Sequence, residues 1–214
     1  MAQAILARTV PPVRVRRAAP PPARGARPRR RAMAAAKTTW KVFLDLQCPF
    51  SKAAWCKLPE IRAAFADSHD ITHHICSLVF HPQAFAAQCA AVFIGRAAGP
   101  EQRAAFEEAC FSEQEKYMNA ALGDCRKSDV DKVFADIAEG AGIFGGDLTR
   151  ERFLTGIHEW EEAVKPAYAE HKYALAYGVY GTPKHVIGDG LVDGTESAWG
   201  AAEWRDKLAA LGDA

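Results

Sequence analysis

The run Phe43-Leu44-Asp45-Leu46-Gln47-Cys48-Pro49-Phe50-Ser51-Lys52 passes from an apolar strand pattern straight into a helical one, with a cysteine at the junction. Such a junction commits the segment to a strand–turn–helix unit and delivers Cys48 to the point where the helix starts. Pro49 suits the first helical position, because the N–H it lacks would be unpaired there anyway. A thiol at that point faces unpaired backbone N–H groups and the positive end of the helix macrodipole. Both favour the thiolate, the form that reacts. Cys48 is therefore the candidate nucleophile. Asp45 lies close by, either as a proton acceptor near the thiol or as the residue that ends the strand.

Periodicity organises the rest. Trp40 to Leu46 reads as a buried strand, and Pro49 to about Ala66 as a helix whose core stripe is Ala54, Leu58, Ile61 and Phe65. Pro59 should kink that helix, and Cys56 within it reads as structural. Ile71 to Phe80 is a second strand, on which the neighbours His73 and His74 must point to opposite faces. His81 closes it, at a strand end where sites gather. Helices are expected over Pro82–Ala98, Glu101–Leu122, a segment opened by a Ser128-Asp129-Val130-Asp131 capping box, and Thr149–Tyr177, broken or bent at Pro166. The aromatic side of the last, including Trp160, Tyr168 and Tyr173, is expected in the core. Val186-Ile187 and Leu191-Val192 flank Gly188-Asp189-Gly190 as a hairpin. Ala198 to Leu211 closes the chain, with Trp204, Leu208 and Leu211 inward.

Charge is unevenly spread. The 214-residue chain carries 27 Lys+Arg and 26 Asp+Glu, yet residues 1–36 hold nine arginines and no acidic residue. The remainder, 18 basic against 26 acidic residues, is a net acid unsuited to nucleic acid. The Ala/Arg/Pro segment has little to bury and is expected to be disordered. Its composition suits an organellar transit peptide, with the chloroplast preferred over the mitochondrion; translation from Met33 would instead leave a cytosolic protein. Residues 37–214 suffice for one domain. No stretch reaches transmembrane length. The six cysteines show no zinc spacing, and Cys48 and Cys56 lie too far apart along one helix for a disulfide, so a reducing compartment fits.

Two motifs at this separation are informative together. Cys48-Pro49-Phe50-Ser51 after a first strand, and Gly178-Val179-Tyr180-Gly181-Thr182-Pro183 before a hairpin, resemble the DsbA-like branch of the thioredoxin superfamily. So do the helical block between them and the Phe80-His81-Pro82 junction. The resemblance spans Trp40 to Leu211. It implies an α/β thioredoxin-like fold with a helical insertion at about 82–177, and a cis Thr182–Pro183 bond packed against Cys48. It also implies a substrate-binding set of Phe50, Gly181, Thr182 and Pro183. Thr182 would offer its N–H and C=O to an extended ligand, and Gly181 would permit close approach.

The sequence departs from the Cys-x-x-Cys of the disulfide-forming members, because Ser51 stands where the second thiol belongs. A mixed disulfide on Cys48 has no local resolving thiol, so an external one must attack it. The expected activity is monothiol thiol–disulfide exchange on protein thiols or disulfides, with glutathione as co-substrate and no tightly bound cofactor. Ser51 could donate a hydrogen bond to the Cys48 thiolate. Lys52 and Lys184 are candidate anchors for a glutathione carboxylate, and Cys125 is a candidate distant resolving thiol. The alternatives are a glutathione-dependent transferase or isomerase, and a non-catalytic binding module on the same fold.

Overall fold

A computed structural model describes residues 36–212. The Arg-rich segment, and with it the expectations of disorder and a transit peptide, lies outside the described residues. Strand β1 (Thr38–Leu44) leads into helix α1 (Pro49–Ala64), and the chain returns as β2 (His69–Ile75), parallel to β1 from Thr38↔His69 to Leu44↔Ile75. Helices α2 (Ala84–Ala98), α3 (Pro100–Ser112), α4 (Asn119–Leu122), α5 (Lys127–Gly140), α6 (Arg150–Gly156) and α7 (Lys165–Ala176) follow. Then β3 (Lys184–Ile187) pairs antiparallel with β1, and β4 (Gly190–Val192) antiparallel with β3. The sheet order is β2-β1-β3-β4, and α8 (Ala201–Leu211) closes the chain.

β1 is covered on both faces, which is why it reads as a nearly continuous apolar run. Trp40, Val42 and Leu44 join the main core with Leu58 and Ile61 of α1 and Trp204 and Leu208 of α8. Phe43 points the other way, into a smaller cluster with Cys76, Ala174, Val179 and Val186. The hairpin turns at Gly188, whose φ of +59° is a backbone conformation that glycine adopts freely.

Several expected boundaries move. β2 ends at Ile75 rather than Phe80: the Cys76 N–H still donates to the Leu44 carbonyl, where β1 ends, and the chain beyond turns inward. The Leu78 N–H, for example, goes to the Asp45 carboxyl. The helix expected over 101–122 is three pieces: α3, a 3₁₀ turn (Gln114–Tyr117) and α4. The break lets Gln114 and Tyr117 reach back to the Leu46 carbonyl. α5 starts at Lys127 with Arg126 as its N-cap, so Ser128 is already helical and the capping box does not form. Thr149 caps α6 by accepting the Arg152 N–H at 3.2 Å.

The long helix breaks at His158-Glu159 rather than bending at Pro166, which sits in the first turn of α7 and needs no N–H there. A π-helical turn (Trp160–Val164) fills the gap. The interruption resets the helical phase, so Trp160, Tyr168 and Tyr173 are exposed rather than in the core. Leu211, at the end of α8, is half exposed, and Cys56 lies on the exposed side of α1 rather than packing within it. His73 and His74 do face opposite ways: His73 meets Arg62 and Glu107, while His74 stacks on Phe43.

Candidate active site

Cys48 is the N-cap of α1, in extended geometry (φ −80°, ψ 121°) with Pro49 next to it. Its backbone is pinned on both sides. The Cys48 N–H donates to the Asp45 carbonyl at 3.0 Å, and the Cys48 carbonyl accepts the Lys52 N–H and Gln114 Nε2. Its thiol makes no capping bond to α1 and donates instead to the Thr182 carbonyl at 3.3 Å. The Thr182–Pro183 bond is cis. Two motifs 134 residues apart thus meet at one sulfur. Among the described residues Thr182 Oγ1 is buried and has no hydrogen-bond partner, and a Cβ placed on Gly181 would find nothing within 4 Å, so the space beside that glycine is open. Cys48 itself is 3% exposed.

A rim of apolar side chains stands in solvent around this point. Phe50 follows Cys48 by two residues, Tyr180 precedes Thr182 by two, and Val79-Phe80 sits in the loop whose Leu78 and His81 bind Asp45. All four are well exposed, Tyr180 at 80%.

Ser51 is fully buried and does not meet the sulfur: its Oγ accepts the Asp45 N–H at 3.1 Å, and among the described residues no hydrogen bond joins it to Cys48. Asp45 is more than a strand end. Its buried carboxyl accepts the N–H groups of Gln47 and Leu78, both at 2.7 Å, and contacts His81 Nδ1 at 3.0 Å. Burial pushes this carboxyl above its ordinary value, partly offset by His81 and the two N–H donors. His81 meets Asp45, and among the described residues no hydrogen bond joins it to the sulfur. Cys76 is a second thiol within the field of Asp45 and Cys48; burial first, then those charges, push it up to about 12. It stays protonated at neutral pH and is a poor nucleophile.

A glutamine cluster unseen in the sequence fixes the strand end. Gln47 Nε2 donates to Gln83 Oε1, to Asn119 Oδ1 at 3.0 Å and to the Tyr117 carbonyl, while Gln47 Oε1 accepts the Gln83 N–H at 2.9 Å. Gln114 Nε2 bridges the Leu46 and Cys48 carbonyls at 2.7 and 3.0 Å. Only Gln47 had a local signal, a polar residue inside an apolar run; Gln83, Gln114 and Asn119 are brought in by tertiary packing. The two candidate anchors are engaged elsewhere, Lys52 with Glu115 at 2.7 Å and Lys184 with Asp193 at 2.9 Å. All six cysteines are free, so Cys125 is not bonded to Cys48. Among the described residues no cluster of His, Cys, Asp or Glu is arranged to hold a metal ion, and no helix is long and apolar enough to cross a membrane.

No family model matches the sequence, and no curated protein matches it either. Solved structures do. A Pseudomonas syringae protein proposed to be a protein-disulfide isomerase superposes with a TM-score of 0.64 at 22% identity, over 79% of this chain and 93% of that one. The DsbA oxidoreductase of Xylella fastidiosa gives 0.57 at 20% identity, over 85% and 89%. The fold is DsbA-like. A thioredoxin-like oxidoreductase from Silicibacter pomeroyi DSS-3 superposes similarly, at 0.57 and 21% identity over 83% and 87%. The DsbA-like arrangement accounts for the position of the helical block between β2 and β3.

Proposed function

We propose that the chain is a monothiol thiol–disulfide oxidoreductase in which Cys48 is the nucleophile and glutathione the co-substrate. The observation that carries this reading is the Cys48 thiol at the start of α1, held 3.3 Å from the Thr182 carbonyl. Solved structures of the same fold that are described as thiol–disulfide oxidoreductases support the oxidoreductase part of this reading. In the first step the Cys48 thiolate attacks the glutathione sulfur of a protein–glutathione mixed disulfide. A Cys48–glutathione bond forms, the protein–glutathione bond breaks, and the released thiolate takes up the proton Cys48 lost. A second glutathione thiolate then attacks that adduct, giving oxidised glutathione and free Cys48. The second step must be external, because Ser51 carries no sulfur and Cys76 stays protonated. The exposed rim of Phe50, Phe80 and Tyr180 suits an unfolded or extended protein partner, whose backbone Thr182 could receive.

A glutathione-coupled assay of wild type, Cys48→Ser and Ser51→Cys tests this. Wild type should turn over, Cys48→Ser should not, and Ser51→Cys should gain dithiol oxidase activity. Turnover that survives in Cys48→Ser would refute the assignment. The low exposure of Cys48 favours one second reading, a binding module whose rim holds apolar segments without turnover. Wild type that binds reduced, unfolded protein but is silent in the coupled assay would establish it.

A further inference from the structure

A cavity of about 670 Å³ opens inside the helical block, between α2, α5 and the π-helical turn. Its walls are apolar where Phe85, Val130, Ile157 and Val164 line it, and one buried acid interrupts them. Asp131 is only 6% exposed. Its Oδ2 meets His158 Nε2 at 2.8 Å, whereas its Oδ1 is buried with no hydrogen-bond partner among the described residues. A buried carboxyl oxygen left unpaired costs free energy that a donor arriving with a ligand would recover. Lys127 also lines the cavity and makes no ion pair among the described residues. The volume lies within the range of about 300–1,000 Å³ typical of small-molecule sites, and a few convergent polar groups on apolar walls are their usual chemistry.

We propose that this cavity binds a small anionic amphiphile. Its apolar body would lie between Phe85, Val130 and Val164, a rotation of the Asp131 carboxyl would let an N–H or O–H donor pair with Oδ1, and its anionic group would face Lys127. The cavity reaches the glutamine cluster beside the thiol, because Gln83 and Asn119 also line it, but neither Cys48 nor Thr182 does. It would hold its ligand with or without turnover at Cys48.

The probe is 8-anilinonaphthalene-1-sulfonate, which combines an aromatic body, one N–H and a sulfonate. Fluorescence titration of the native full chain should show saturable binding at one site. Ala86→Phe grows a ring into the hollow and should weaken binding by about tenfold or more. Asp131→Asn, nearly isosteric, should weaken it by several-fold and keeps the test alive if the larger substitution fails to fold. In a Cys48→Ser, Cys56→Ser background, saturating dye should slow alkylation of Cys125, which lines the same cavity and is otherwise exposed. The proposal is overturned by non-saturable binding, by unchanged affinity in both variants, or by Cys125 alkylation that stays equally fast. It is also overturned if affinity is lost with Phe50→Ser and Tyr180→Ser instead, which would put the dye on the rim around Cys48.

Discussion

Acidification tests how His185 ties β3 to β1. Trp40 Nε1–H donates to His185 Nδ1 at 3.0 Å in the buried core, so Nδ1 carries no proton and the ring is neutral. Burial first, then the Lys184 ammonium, push this histidine from 6.5 down to about 3. In the unfolded chain the same side chain takes a proton near its ordinary value. A group whose folded pKa lies below its unfolded one contributes stability that is complete above the unfolded pKa and is lost as pH falls towards the folded one. Between pH 6.5 and pH 4.5 the proton excess of the unfolded chain at this residue rises from about one half to nearly one, so its contribution falls by about 2 kcal/mol. His185→Phe keeps a ring but removes the titration; it leaves Trp40 Nε1 unpaired at a cost of roughly 1–3 kcal/mol at every pH. Urea unfolding of both proteins from pH 7 to pH 4.5 isolates the effect, because carboxylates common to the two cancel in the difference. Wild type should be the more stable at pH 7 and should lose or reverse that advantage by pH 4.5. Stability curves that stay parallel across this range would refute the reasoning.

Two further outcomes follow from the packing. Gly156→Ala would place a Cβ 2.1 Å from carbons of the buried Phe93 ring, and the overpacking should cost about 1–3 kcal/mol, lowering Tm by several degrees; an unchanged thermal midpoint would contradict it. Asp45→Ala strands the Gln47 and Leu78 N–H groups, each worth roughly 1–3 kcal/mol when buried and unpaired, and should lower both the denaturant midpoint and turnover; a stability equal to wild type would show that water serves those donors as well.

The parts of the site legible in the sequence were those set by local rules. A strand ending in Cys48 and a proline opening α1 are one continuous signal, and the Gly-Thr-Pro motif before a glycine turn is another. That these two meet came from resemblance, since nothing local to Thr182 points to a sulfur 134 residues away. The side-chain contacts were less legible. Ser51 lies one helical turn from Cys48, yet its hydroxyl serves the Asp45 N–H, because the end of β1 leaves that donor without a strand partner. The apolar period of 149–177 showed an interruption only at Pro166, but the chain breaks at His158-Glu159, which rotates Trp160 and Tyr168 out to solvent. Gln83, Gln114 and Asn119 carry no pattern of their own; tertiary packing brings them around Gln47 and Cys48.

On this reading position, not exposure, makes Cys48 the reactive thiol. Cys56 and Cys125 are exposed and Cys48 is 3% exposed, so accessibility alone ranks it behind them. Peptide mass spectrometry of the reduced protein after brief treatment with oxidised glutathione separates the two. A glutathione adduct is expected on Cys48 first, removed again by reduced glutathione. Adducts confined to Cys56 and Cys125, with Cys48 unmodified, would contradict it.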